Sequence, residues 1–274
     1  ASIKEILLKE DKQAVSTYPF PTLDAMAYGI RLGELVLLTA QEKIGKTEVL
    51  RAIEYHLLKN TDHNLGIIHL EESEKRSVQG LASYELKRPC HLPDSGTSVD
   101  DVYAAFTRLS GKDGRVFFYT HFGSDDPATI LDTIRYMVSV CHCKYIFLDH
   151  MTMLVSGSQE DDERKTLDYL ATRFAMLTRD LGFTLFLVCH VNDDGKPRGS
   201  RMIAKTCDLH VYLSRDKESG DDATRNTVSL MVRDNRFGGI TGPGGTLTFD
   251  PKTFTLKETP REPEVIFDPN PIAA

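Results

Sequence analysis

One segment of the sequence has the composition and spacing of a phosphate-binding loop. It follows an apolar run, opens a stretch rich in helix formers and reads Ala40-Gln41-Glu42-Lys43-Ile44-Gly45-Lys46-Thr47. A loop between a strand and a helix points backbone N–H groups and the positive end of the helix dipole at phosphate. Lys46 can then reach the β- and γ-phosphates while Thr47 ligates Mg²⁺. The whole segment therefore predicts a site for ATP, or for another NTP or dNTP, together with Mg²⁺.

An aspartate at the end of another apolar run is placed to bind a metal ion. The apolar run Lys144 to Leu148 is followed at once by Asp149. Open α/β folds bind ligands at the carboxyl ends of their strands, so this carboxylate is placed to hold Mg²⁺ through water. An aspartate that merely ends a strand in a turn is the alternative, and the phosphate loop upstream favours the metal role.

The strand candidate Gly66 to Leu70 runs into an acidic cluster. Its first member, Glu71, is closest to the strand end, so we predict that Glu71 orients and deprotonates the attacking water. Glu72 and Glu74 are predicted to be solvated residues of a first helical turn, where acidic side chains suit the helix dipole. An exposed acidic turn with no catalytic role is the alternative for all three.

A histidine closes another buried strand. His190 follows the apolar run Thr184 to Cys189. At that position it can contact the γ-phosphate and report its loss, although an isolated histidine is more often structural.

The elements that must position these residues alternate between short apolar runs and segments of helical period. The sequence therefore predicts an α/β fold with a mostly parallel sheet flanked by helices. Leu167 to Leu181 keeps a 3.6-residue period and ends at Gly182. After Leu209, strands linked by Gly- and Pro-rich turns predict an antiparallel edge. The predicted strands are Glu34–Leu38, Gly66–Leu70, Arg115–Tyr119, Lys144–Leu148, Thr184–Cys189, Leu209–Leu213, Thr227–Arg233, Thr246–Phe249 and Phe254–Lys257.

Composition sets limits on function. The 274 residues, 41% hydrophobic and 27% charged, suit one large domain. A net charge of -7 argues against nucleic-acid binding over the whole surface, so any such binding must be local, for example in a channel. The five cysteines are odd in number and mostly lie in apolar segments, which favours reduced thiols. Nothing in the sequence predicts a signal peptide or a membrane span.

Several segments, taken in order along the chain, resemble the DnaB-type replicative helicases, in particular the helicase domain of phage primase-helicases and of mitochondrial Twinkle. They extend over nearly the whole chain, from about Ser2 to Lys257. They are the phosphate loop, Leu70-Glu71-Glu72-Ser73, Phe147-Leu148-Asp149-His150, Asp162-Glu163-Arg164-Lys165, Cys189-His190, Arg198-Gly199-Ser200 and Asn235-Arg236-Phe237.

The resemblance implies a RecA-like P-loop NTPase core in a ring-shaped homo-hexamer that moves 5′ to 3′ on single-stranded DNA and unwinds duplex at the replication fork. It also implies that Glu71 is the catalytic base, that His190 senses phosphate and that Arg236 is an arginine finger reaching the neighbouring subunit's nucleotide. A short N-terminal helix would pack on the adjacent subunit.

In relatives the loop after the histidine carries much of the DNA contact, and in this chain it is short. The DNA-contacting residues expected there are Asn192, Lys196, Arg198, Ser200 and Arg201.

The resemblance also implies the domain organisation and surroundings, while the tail is predicted from its composition, since it holds four of the twelve prolines and has no periodicity. We expect an N-terminal linker or docking helix over residues 1–15, the ATPase domain over 16–258 and an extended or disordered tail over 259–274. Expected partners are single-stranded DNA, further copies of this chain, a primase and a replicative polymerase, with no membrane. The expected location is the cytoplasm of a phage-infected bacterial cell, with the mitochondrial matrix as the second option.

Two other functions share parts of this pattern. A RecA-type or clock-type module would use the nucleotide as an assembly switch without translocating. A soluble kinase of small molecules would share the phosphate loop and Asp149, but the sequence lacks an Arg-rich lid segment.

Overall fold

The computed structural model describes residue 3 and residues 13–119, 127–155, 160–191 and 202–260. The described strands are β1 Ala14–Ser16, β2 Ile30–Arg31, β3 Leu35–Ala40, β4 Asn64–His69, β5 Val116–Tyr119, β6 Cys143–Asp149, β7 Thr184–His190, β8 Leu209–Ser214, β9 Thr227–Asn235, β10 Gly242–Asp250 and β11 Thr255–Glu258. The described helices are α1 Pro21–Ala27, α2 Lys46–Asn60, α3 Glu74–Leu86, α4 Val99–Ser110, α5 Pro127–Ser139, α6 Glu160–Leu181, α7 Met202–Thr206 and α8 Asp222–Arg225, with a 3₁₀ helix at Met151–Val155.

Within the described residues the main sheet has the strand order β11-β10-β9-β8-β3-β7-β6-β4-β5. The strands from β8 through β3, β7, β6 and β4 to β5 are parallel. The pairs β8 with β9, β9 with β10 and β10 with β11 are antiparallel. The predicted parallel core with an antiparallel edge is confirmed, and all nine predicted strands are present with boundaries shifted by a few residues.

Helices cover both faces of the sheet, which explains why β3 is buried along its whole length. Val36 and Leu38 point into the core beneath α2, α3 and α4. Leu35 and Leu37 point into the opposite core beneath α5, α6 and α7. Because side chains alternate along a strand, one apolar strand supplies both cores.

The predicted period of α6 is confirmed by its packing. Leu167, Leu170, Ala171 and Phe174 are buried in the second core, as the 3.6-residue spacing requires. The helix ends at Leu181, and Gly182 follows with φ +65°, a conformation that favours glycine.

One Gly-rich stretch predicted as a turn is instead part of a strand. Residues 242–245 belong to β10 and pair with β9 across an irregularity between Pro243 and Gly245. Gly242 and Gly245 have φ of +121° and +114°, and a Cβ at Gly244 would lie 3.1 Å from Val232 Cγ2. These glycines therefore permit a bulged strand against β9, which a count of turn formers does not detect.

Two expectations from composition can be compared with the fold. All five cysteines are unpaired, as predicted. Among the described residues, no helix combines the length and apolar character needed to cross a membrane. The predicted N-terminal docking helix at residues 1–15 falls largely outside the described residues. Most of the predicted tail, from residue 261, also lies outside them.

Candidate active site

Four neighbouring parallel strands end at the same edge of the sheet. Their order, β3-β7-β6-β4, places Ala40 beside His190 and His69 beside Asp149. Past the end of β4, the backbone N–H of Leu70 still donates to the carbonyl of Asp149 at 2.7 Å. The phosphate loop and the predicted base, metal ligand and sensor are thereby brought to one edge.

The phosphate loop connects β3 to α2 as predicted. Gly45 forms the N-cap of α2 with φ +106°, and Lys43 also has a positive φ, +60°. Ala40, where many phosphate loops have Gly, is instead the last residue of β3, and it is not among the residues with positive φ. An alanine therefore fits at this position because the backbone there does not need glycine.

Lys46 is folded back over the loop. Its ammonium nitrogen lies 2.8 Å from the carbonyl oxygen of Gln41 and 3.0 Å from Nδ1 of His190. Burial lowers the pKa of Lys46, and Asp149 and Glu71 partly oppose that effect. Because an ammonium group only donates, His190 Nδ1 accepts here and its ring proton is on Nε2.

His190 lies between Lys46 and a second histidine. Burial, together with His150 and Lys46, lowers the pKa of His190 to about 4. Its ring meets the ring of His150 edge to face, with the centroids 4.1 Å apart. A neutral imidazole with a proton on Nε2 can donate a hydrogen bond without carrying charge.

Thr47 and Asp149 form an oxygen-rich pair at the start of α2. The Thr47 hydroxyl donates to Asp149 Oδ2 at 2.6 Å, and the carboxylate is buried. A hydroxyl and a carboxylate side by side are the hard oxygen donors that Mg²⁺ binds, with water and phosphate oxygens completing its shell. This pair therefore fits the metal predicted from the sequence.

Glu71 extends into solvent next to this edge. Its side chain is 56% exposed, and Oε1 lies 2.9 Å from Nε2 of the buried His150. The carboxylate is thus accessible to water while one of its oxygens is held by the protein. His150 was absent from the predicted site residues, although it directly follows Asp149 in the segment Phe147-Leu148-Asp149-His150.

Glu72 departs from expectation. The prediction of a solvated first-turn residue is wrong, because Glu72 Oε1 accepts hydrogen bonds from Arg51 Nη2 at 2.6 Å and from Ser77 Oγ at 2.9 Å. Burial raises the pKa of Glu72, but the nearby His69, whose Nδ1 lies 3.8 Å from Oε1, and the charge of Arg51 outweigh it and lower the pKa to about 2. Glu74, in contrast, is exposed in the first turn of α3 as predicted.

Arg51 and Glu72 belong to a buried polar network that was not predicted from the sequence. His69 bridges Glu54, at 3.1 Å from its Nε2, and Ser77, at 2.9 Å from its Nδ1. Burial lowers the pKa of His69, yet Glu54 outweighs it and raises the pKa to about 10. The network joins α2, the end of β4 and α3, and its member Glu72 directly follows Glu71 in the sequence.

One signal in the sequence could have revealed this network. Gly80 lies in the interior of α3, where glycine weakens a helix. A Cβ at that position would collide with the Arg51 guanidinium. A glycine inside a helical pattern thus marks the place where the buried arginine passes.

Glu71, His150 and His190 form a compact set of possible metal-ligand atoms, all within 4.8 Å of one another. Contacts with one another and with Lys46 and Thr152 account for the arrangement without a cation. His190 Nδ1 accepts from Lys46, and His150 Nδ1 lies 2.6 Å from the Thr152 hydroxyl. We therefore interpret the set as a hydrogen-bonded cluster.

Arg236 does not join the site within its own chain. It follows β9, whose last residue Asn235 pairs with Leu209, and Leu209 in turn pairs with Val36 near the amino end of β3. Its half-exposed guanidinium donates to the carbonyl of Lys205 and lies 4.0 Å from Asp208 Oδ1. Arg236 thus lies toward the amino ends of the parallel strands, whereas Lys46 lies at their carboxyl ends.

The predicted DNA-contacting residues lie outside the described residues, namely Asn192, Lys196, Arg198, Ser200 and Arg201.

Comparison with known proteins gives consistent matches. Residues 15–257 match the family described as DnaB-like helicase C terminal domain. The chain is 25% identical over 272 residues to the DNA helicase/primase of Enterobacteria phage T3, covering 93% of this chain and 48% of that protein. It therefore spans about half the length of this curated relative.

Solved structures agree on the fold. A DnaB-like replicative helicase, whose structure was solved together with its interactions with primase, superposes with a TM-score of 0.73 at 16% identity, covering 94% of this chain and 67% of that chain. The KaiC-like protein PH0186 from Pyrococcus horikoshii OT3 superposes with a TM-score of 0.67 at 16% identity, covering 91% and 100%. Together these likenesses confirm the predicted RecA-like fold.

Proposed function

Because this chain belongs to the family of DnaB-like helicase C-terminal domains, we propose that it is the motor of a replicative DNA helicase. In this proposal it hydrolyses ATP or another NTP or dNTP, translocates 5′ to 3′ on single-stranded DNA as a ring-shaped homo-hexamer and unwinds duplex at the fork. The observation that carries the proposal is the convergence of Lys46, Thr47, Asp149, Glu71 and His190 at one sheet edge.

The phosphate loop would bind the nucleotide. Backbone N–H groups from residue 41 to residue 47 and the N-terminus of α2 suit the phosphates, and Lys46 supplies a cation for the β- and γ-phosphates. To reach them, Lys46 exchanges its present contacts with Gln41 and His190 for phosphate oxygens. Thr47 and Asp149 would hold Mg²⁺, which when bound neutralises charge on the phosphates.

Hydrolysis needs a base at a position that water can enter. Glu71 meets this requirement, since it is largely exposed and lies beside the other site residues. In the proposal it orients and deprotonates the attacking water. His190 donates from Nε2 toward the γ-phosphate and loses that partner when phosphate leaves, which makes it the sensor.

The position of Arg236 supports a role between subunits. A guanidinium at the far edge of the sheet cannot serve the nucleotide of its own chain, but a head-to-tail ring brings that edge to the next subunit's site. There Arg236 would stabilise the charge of the transition state as an arginine finger.

DNA contact is proposed for the segment that contains Asn192, Lys196, Arg198, Ser200 and Arg201. The net charge of -7 requires DNA binding to be local, and the channel of a ring satisfies that requirement.

The phage T3 relative is by its printed name both helicase and primase, which supports a primase as a partner, and we extend the proposal to a replicative polymerase. A phage relative also favours the cytoplasm of an infected bacterial cell over the mitochondrial matrix.

Because the KaiC-like protein shares this fold, the clock-type ATPase module is the alternative to test. A module of that kind would use ATP as an assembly switch without translocating. The ATPase rate of the purified protein with and without single-stranded DNA tests the helicase proposal, which predicts stimulation by single-stranded DNA. A rate that DNA leaves unchanged contradicts it.

A further inference from the structure

His150 is buried beside the exposed Glu71 and contacts it directly. The imidazole Nε2 lies 2.9 Å from Glu71 Oε1, and the side chains are 6% and 56% exposed. On the other side of the ring, Nδ1 lies 2.6 Å from the hydroxyl of Thr152 in the 3₁₀ helix. Three residues therefore form a chain that runs from the protein interior to the carboxylate.

The backbone fixes both ends of this chain. The Leu70 N–H donates to the Asp149 carbonyl, so Glu71 and His150 leave β4 and β6 side by side. His150 directly precedes the 3₁₀ helix, and its carbonyl accepts from the N–H of Met153 at 3.2 Å. The imidazole is further confined by the ring of His190, which meets it at an interplanar angle of 88°.

The partners determine where the ring proton is. A glutamate carboxylate carries no proton, so the 2.9 Å contact between its Oε1 and Nε2 of His150 requires the ring proton to be on Nε2. With that proton on Nε2, Nδ1 can accept from the Thr152 hydroxyl, so both ring nitrogens have a partner. A second residue that fixes the tautomer of a histidine in this way also fixes the direction of its N–H.

Glu71 needs such a restraint. A long side chain that is more than half exposed loses considerable rotamer freedom when it is held in one place. Among the described residues, His150 is the partner that holds the Glu71 carboxylate. Without it the carboxylate would sample positions from which it cannot reach the water aligned with the γ-phosphate.

We propose that His150 is a positioning residue for hydrolysis, which donates from Nε2 to Glu71 and is itself oriented by Thr152. This inference rests on the proposed function, because it assumes that Glu71 is the base. It concerns catalysis and not nucleotide binding, since neither His150 nor Thr152 belongs to the phosphate loop.

The test compares two amides at one position. The side-chain N–H₂ of Gln reaches the place of a histidine Nε2, whereas that of Asn reaches the place of Nδ1. His150→Gln should therefore keep kcat for ATP within about threefold of wild type, and His150→Asn should lower it roughly tenfold or more, since small errors in position cost large factors in rate. KM for ATP and the affinity for a non-hydrolysable analogue should change less than about twofold in both.

Thr152 provides a second pair of variants that does not alter the imidazole. Thr152→Ser retains the hydroxyl, and Thr152→Val removes it at nearly constant volume. We expect kcat to fall severalfold in Thr152→Val alone, with thermal unfolding of both variants close to wild type. This pair remains informative if His150→Asn fails to fold.

The outcomes separate this inference from the function on which it rests. Wild-type protein without ATPase activity, or Glu71→Gln with full activity, overturns the proposed function and this inference with it. If wild type hydrolyses ATP and Glu71→Gln does not, equal kcat in His150→Gln and His150→Asn overturns the positioning role alone. A change confined to KM also overturns it.

Discussion

The hydroxyl of Thr47 donates a 2.6 Å hydrogen bond to the carboxylate of Asp149 and so joins the first turn of α2 to the end of β6. Two residues that lie 102 positions apart in the sequence thus contribute adjacent oxygens. The pairing arises because β3 and β6 both flank β7.

This pair predicts a dependence on Mg²⁺ that two substitutions can separate. Asp149→Asn removes the charge that holds the cation, so kcat should fall about a hundredfold or more. Thr47→Ser retains the hydroxyl and should remain active. Titration of Mg²⁺ at saturating ATP measures both effects. Full activity of Asp149→Asn at low Mg²⁺ would contradict the metal assignment.

The adjacent Glu71 and Glu72 should respond differently to the same change. Glu71→Gln should retain nucleotide binding and lose hydrolysis, because it removes the proposed base. Glu72→Gln should instead destabilise the fold by about 2 to 4 kcal/mol, since it weakens the partner of the buried Arg51. ATPase assays and urea unfolding on both variants distinguish the two effects. If Glu72→Gln unfolds like wild type but loses hydrolysis, the base has been assigned to the wrong neighbour.

The His69–Glu54 pair predicts that stability depends on pH. Burial lowers the pKa of His69, but Glu54 raises it from an ordinary 6.5 to about 10, so the folded protein retains a proton that the unfolded chain releases. The stabilisation is complete below pH 6.5 and is lost as the pH rises toward 10, with a slope of at most about 1.4 kcal/mol per pH unit. Urea unfolding of wild type and His69→Gln across this range measures it. A difference in unfolding free energy that does not shrink with rising pH would contradict the prediction.

Arg236 should act on the nucleotide of a neighbouring subunit. Arg236→Ala and Lys46→Ala should each lack ATPase activity, for different reasons. Mixed rings contain interfaces in which an intact Lys46 meets an intact Arg236, so some activity should return on mixing. Activity of Arg236→Ala alone at the wild-type rate would refute the finger. If mixing restores nothing, a covalently linked dimer of the two variants distinguishes action within one chain from failure to exchange subunits.

The sequence was most informative where an apolar run ended in a polar residue. Glu71, Asp149 and His190 were all identified in this way, because a buried strand that ends in a polar residue places it at the sheet edge. The sequence could not show which of these strands are neighbours, because that depends on the strand order β3-β7-β6-β4.

Other features of the site could be recognised only from the three-dimensional structure. Arg51 and Glu54 lie on a helix whose charged residues look solvated in the sequence, yet both are buried against His69 and Glu72. A buried ion pair leaves no periodic pattern, because each partner comes from a different element. His150 was missed for a related reason, since its contact with Glu71 depends on how the chain continues past the ends of β4 and β6.

Unwinding of a forked DNA duplex by the purified protein is the direct test of the proposed helicase. We expect ATP-dependent strand separation that requires a single-stranded 5′ tail on the fork and is absent in Lys46→Ala. DNA-independent hydrolysis without strand separation, or unwinding that proceeds equally well with Lys46→Ala, would contradict it.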